Sequence, residues 1–102
     1  KQFILEYTTA DIVYIEAFGK RLVIHTNNHM SGMKEDTISG YTLAGMLALL
    51  EGASFVQCHK SYLVNTTHID RIDKTGRKIF LKGFPDAIPV GNNRTRAVWG
   101  KP

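Results

Sequence analysis

A single cysteine, Cys58, stands in the chain. An internal disulfide framework is therefore excluded, and cysteine usage gives no sign of secretion. Long apolar runs are missing too: no stretch approaches the ~18 residues of a membrane span, and the opening residues lack a signal-peptide pattern. Proline is confined to three positions, all beyond residue 84, so none interrupts the earlier segments. There are no internal repeats, low-complexity runs or linkers.

What is present is ordinary for a globular protein. The 43% apolar and 22% charged content sets the chain apart from a disordered tail. Its 102 residues leave room for one core, which buries roughly 60–65% of the unfolded surface without staples. Residues 1–102 are expected to be one domain, and the opening "KQFILEY" suggests one excised from a longer chain. The net charge of +4 is unevenly spread. Residues 1–51 hold four Lys/Arg against six Asp/Glu, whereas residues 52–102 hold nine against three. A basic half beside an acidic half points to a polyanionic partner, nucleic acid being the commonest.

Most segments read as short strands: "FILEY", "DIVYIEAF" and "RLVIHT", then "SFVQC", "SYLVN", "HIDRID", "RKIFLKG" and "AIPV". Gly19 in "FGKR" supplies a hairpin turn, leaving Lys20 and Arg21 at its tip. "NNHMSGMKED" reads as a loop leading to a brief strand near Thr37–Ser39. "DKTGRK" reads as a turn with Gly76 at positive φ, and "KGFPDA" as a turn on Gly83 and Pro85. One segment changes period. In "YTLAGMLALLEG", Leu43, Met46, Leu47 and Leu50 recur at helical spacing, with Thr42 to cap the start and Gly52 to close the end. Gly45 inside it costs about 1 kcal/mol relative to alanine, so tertiary packing must hold this helix. Val98 and Trp99 are expected to anchor the basic tail. The fold class is mostly β, with one short helix.

Catalysis finds little support. A structural zinc needs four convergent ligands. Cys58 and His59, adjacent on an extended chain, are expected on opposite faces, and His25 and His29 are separated by the turn-like "TNN". Cys58 or Ser61 beside His59 lacks a glycine-flanked nucleophile elbow. Cys58 reads better as a small buried hydrophobe. The nine acids are scattered. The sequons at Asn65 and Asn93 are three-residue patterns that arise by chance. No enzyme, metal or cofactor is expected.

Three loop clusters remain: Lys20/Arg21, His59/Lys60/Ser61 and Asn93/Arg94/Arg96. Each mixes cations with side chains able to reach phosphates or read base edges, and loops on a rigid scaffold are a normal place for them. The bland alternative is solvated surface charge. The one clear helix is apolar, so any nucleic-acid contact must come from loops and not from a recognition helix.

The stretch "FVQCHKSYLVNTTHIDRI" narrows the choice. It resembles the LytTR DNA-binding domain of bacterial response regulators, through Phe55, His59, Lys60, Ser61, Tyr62, Leu63, Val64 and Asn65, followed by Ile69 and Ile72. "DIVYIEAFGKRLVIHT" is similar to that family's early hairpin, "TLAGMLALLEG" to its helix and "IPVGNN" to its closing strand and loop. The resemblance implies elongated, stacked antiparallel sheets whose loops enter successive major grooves of double-stranded DNA. It further implies Lys20, Arg21 and Lys60 at bases or phosphates, Ser61 on a phosphate, and Arg94 and Arg96 on the far backbone. His59 would order its loop as much as touch DNA, and Asn65 would form a turn with its side chain bonding local backbone. Paired direct repeats, a dimer on DNA, an amino-terminal receiver domain and a cytoplasmic two-component regulator without membrane contact complete the expectation. One departure stands out: Val-Ser-Arg is common at the close, whereas Val90, Gly91 and Asn92 stand here, with Asn93 and Arg94 as substitutes. A degenerate module that binds an acidic protein partner is the alternative.

Overall fold

The computed structural model describes residues 7–50, 52–95 and 98. Among the described residues the strands and the helix follow in order: β1 (Ile12–Phe18), β2 (Arg21–Asn28), β3 (Gly32–Ser39), α1 (Leu43–Leu49), β4 (Phe55–His59), β5 (Tyr62–Asn65), β6 (Ile69–Asp73), β7 (Lys78–Leu81) and β8 (Ile88–Pro89). They form a five-stranded sheet, β3-β2-β1-β5-β4, and a three-stranded sheet, β6-β7-β8. Every described pairing is antiparallel. Pro89 is tolerated because β8 is an edge strand.

The larger sheet is the middle layer. On one face Ile12, Ile15, Leu22, Ile24, Phe55 and Leu63 pack with Leu43, Met46 and Leu50 of the helix segment. On the other, Val13, Cys58 and Val64 pack against Ile79, Leu81 and Ile88 of the smaller sheet. Strand β1 serves both cores by breaking its own alternation. A register shift between Ile12 and Tyr14 sends Val13 and Tyr14 to the same side, so Ile12 and Ile15 can both face the helix.

The helix forms where its spacing predicts. Thr42 Oγ1 accepts from the Gly45 N–H at 3.0 Å, capping the first turn. A Cβ on Gly45 would lie only 3.2 Å from that hydroxyl, so the glycine inside the helix makes room for its cap.

Several expectations change. Strand β3 spans eight residues along the whole of β2, and "TNN" is strand, with the turn at residues 29–31. Lys34, Glu35 and Asp36 are weak strand formers, but they lie on an exposed edge where backbone pairing decides. In the β6–β7 turn the left-handed residue is Arg77, at φ 53°, and not Gly76. The Gly76 N–H donates to Asp73 Oδ1 at 3.0 Å, and a Cβ at Gly76 would sit 2.6 Å from Asp73 Oδ2, so a side chain there would push the carboxylate aside. Val98 packs against the second core as expected. Trp99 and the first strand up to residue 6 lie outside the described residues.

Asn65 does more than form a local turn. Its Oδ1 accepts from the Thr67 N–H at 3.1 Å and the Thr67 hydroxyl at 2.8 Å. Its Nδ2 donates to the Ile12 carbonyl at 2.9 Å, tying the end of β5 to the start of β1.

Candidate nucleic-acid interface

Three segments distant in sequence meet at one end of the sheets. The first is the β1–β2 tip, a two-residue connection whose Gly19 has φ 66°, as a tight hairpin demands at that position. It holds Lys20 and Arg21 exposed. Because β1 pairs with β5 and the Ala17 N–H donates to the Ser61 carbonyl at 2.8 Å, the β4–β5 tip lies alongside.

That second tip carries His59, Lys60 and Ser61. A register shift between Gln57 and His59 places His59 opposite Tyr62, with their rings edge-on at 5.6 Å. The expected split of Cys58 and His59 onto opposite faces therefore fails. The bulge absorbs one residue, and both lie toward the smaller sheet. The Ser61 N–H donates to His59 Nδ1 at 3.1 Å, which fixes the turn around Lys60. Lys60 is exposed, and Ser61 and His59 are half-buried.

The third segment is the closing stretch from Val90 to Arg94. The Gly91 N–H donates to the Cys58 carbonyl at 2.8 Å, while the Val90 N–H donates to the Arg77 carbonyl at 2.9 Å. The stretch is thus fastened to β4 on one side and to the β6–β7 turn on the other. Asn93 is exposed and Arg94 half-buried, on a short 3-10 turn over Asn92–Arg94. Arg96 lies outside the described residues.

Lys60 stands between two hollows. One, of about 440 Å³, is lined by Lys20, Arg21, Tyr41, Leu43 and Lys60 among others. The second, of about 290 Å³, is lined by His59, Lys60, Gly91, Asn92, Asn93 and Arg94. Among the described residues no carboxylate lines either. By contrast, a hollow near the β2–β3 end is lined by Asp11 and Asp36. Among the described residues no Lys or Arg lies within ion-pair distance of a carboxylate, Glu16 and Glu35 lying beside His25 instead, so Lys20, Arg21, Lys60 and Arg94 have no carboxylate partner there. Such a surface attracts anions.

Sequence reasoning missed two contributors. Tyr41 and the residues before the helix wall the first hollow, and no local pattern announced them. The β6–β7 turn was read only as a turn, yet the Val90–Arg77 hydrogen bond brings it to the same end. Its signal was the cluster Lys74, Arg77 and Lys78 within "DKTGRK".

Nucleophile chemistry has no footing at Cys58. Burial pushes its thiol from 9.0 up to about 12, so it stays protonated near neutrality.

Comparison with known proteins bears on the fold and the family. No curated protein matches the sequence. Among solved structures, the LytTr DNA-binding domain of a Bacillus cereus protein described as a methyl-accepting/DNA response regulator superposes with a TM-score of 0.76. The two are 24% identical over 93% of this chain and 86% of the other, a likeness of fold. The sequence matches the LytTr DNA-binding domain family over residues 3–99. That match spans both sheets, the helix and all three loop clusters, and the chain belongs to the LytTR family of DNA-binding domains.

Proposed function

We propose that this chain binds double-stranded DNA sequence-specifically, as the output domain of a two-component transcription regulator, and that it performs no catalysis. The observation that carries the reading is Lys60, shared by two acid-free hollows that also hold Lys20, Arg21 and Arg94. Lys20, Arg21 and Lys60 approach base edges or phosphates in one major groove, and Ser61 holds a phosphate. Asn93 and Arg94, with Arg96 beyond them, follow the backbone toward the next groove, and His59 positions the Lys60 turn. An amino-terminal receiver domain, a dimer on direct repeats and a cytoplasmic location follow from the same reading.

Salt titration tests it. With about four to six phosphates neutralised, log affinity for a duplex should fall with log salt at a slope near −4 to −5. Affinity that ignores salt, or no duplex binding at all, removes the reading.

A second reading, an interaction module for an acidic protein partner, is favoured by one feature: Gly91 and Asn92 put neither hydroxyl nor cation where the family commonly has both. Retention of a protein partner at salt concentrations that abolish duplex binding would support it.

A further inference from the structure

We infer that Phe18 reads the 5-methyl group of thymine in the major groove, an inference that rests on the DNA-binding reading above. Phe18 ends β1 and is 72% exposed. Strand alternation turns Ala17 toward the helix-side core and Phe18 to the opposite side. The residue cross-strand from it is Arg21, and on the other flank the preceding Ala17 N–H donates to the carbonyl of Ser61, next to Lys60 in the β4–β5 tip. The end of β1, which carries Phe18, therefore lies between the two cationic tips. Among the described residues no other ring stacks on the Phe18 ring. The more exposed Met30 lies by the β2–β3 turn, at the other end of β2.

An exposed phenyl cross-strand from Arg21, at the cationic end of the sheet, offers an apolar contact to a ligand that has an apolar spot inside an anionic surface. Duplex DNA presents one such spot on its major-groove edge, the thymine methyl. A phenyl ring neither donates nor accepts a conventional hydrogen bond, so the flanking cations supply attraction and the ring supplies discrimination. Removing one buried methyl is expected to cost about fourfold in affinity.

The test uses the full chain and a duplex it selects from a random-sequence pool, remade with deoxyuridine replacing thymidine one position at a time. Wild type should lose about fourfold at one or two of those positions. Phe18→Ala should bind the thymine and uracil forms equally, with an unchanged salt slope because no charge is removed, and Phe18→Leu should retain part of the preference. The exposure of Phe18 leaves the core intact in both variants, which an unchanged Tm confirms. Equal wild-type affinity for thymine and uracil duplexes overturns the inference, as does discrimination that survives in Phe18→Ala. So does a Phe18→Ala loss that is the same on every duplex, the mark of a wedge between base steps. In those cases salt-dependent binding persists and the DNA-binding reading stands. Absence of salt-dependent binding by wild type removes both.

Discussion

The Ser61 N–H and His59 Nδ1 are joined across Lys60 at 3.1 Å, so the imidazole acts as an acceptor that holds the tip in shape. In that role Nδ1 carries no proton. His59→Ala should leave the cations in place but loosen Lys60. Duplex affinity is expected to drop severalfold while the salt slope stays near its wild-type value. Fluorescence anisotropy at several salt concentrations checks both.

Lys60→Ala removes charge instead of order. If Lys60 reads a base, the variant should lose roughly 1–3 kcal/mol and its preference at one position. If Lys60 meets only phosphate, the loss should be uniform across sequences and the salt slope should shrink by about 1. Binding to a panel of single-base variants of a selected duplex separates these outcomes.

Gly91 can accept the side chain that is common in the family at its position. Its φ of −70° and ψ of 155° suit any residue, and an added Cβ would meet Arg94 Cγ at 3.5 Å and His59 at 3.8 Å, ordinary contact distances. Gly91→Ser should therefore fold normally. Its hydroxyl is expected to strengthen duplex binding by about 1 kcal/mol, roughly fivefold, through one phosphate hydrogen bond. Affinity measured beside Tm decides.

Arg77 holds a left-handed backbone, a conformation costing roughly 1–2 kcal/mol for a residue with a Cβ. Arg77→Gly relieves that cost and gives back part of it as unfolded-chain entropy. A net gain of about 0.5–1 kcal/mol is expected, seen as a Tm several degrees higher. If the arginine is kept because it touches phosphate, the same variant should bind duplex DNA more weakly, with a shallower salt slope.

Alkaline conditions should unfold the protein through Cys58. Burial raises its pKa from 9.0 to about 12 in the folded chain, so the thiolate is favoured only after unfolding. The stability from the buried neutral thiol is complete below pH 9 and is lost as pH rises through about 12. Tyr14, raised from 10.0 to about 12 chiefly by burial, adds to the same slope. Denaturant midpoints measured from pH 8 to 11 should fall, and Cys58→Ala should flatten part of that decline from a lower starting stability.

Much of the fold was legible because local chemistry and local structure agree. Leu43, Met46 and Leu50 fall on one helical face and are buried there, with Thr42 as the cap. The strands of "DIVYIEAF" and "SYLVN" follow from their β-branched and aromatic content. Strand β3 was read too short because Lys34, Glu35 and Asp36 carry no strand signal; their conformation is dictated by pairing with β2.

The sequence alone determined which residues are apolar, where the period changes from two to 3.6, where the cations cluster and the family pattern around His59–Asn65. Tertiary structure alone decided that Lys20, Lys60 and Arg94 meet at one end. That meeting depends on β1 pairing with β5 and on Gly91 binding the Cys58 carbonyl. The bulge in β1, the bulge that turns His59 from its expected face, and the left-handed Arg77 were also settled there. The physical reason is common to all of these. Each is fixed by backbone hydrogen bonds between segments far apart in the chain, and residue periodicity records only what each segment does by itself.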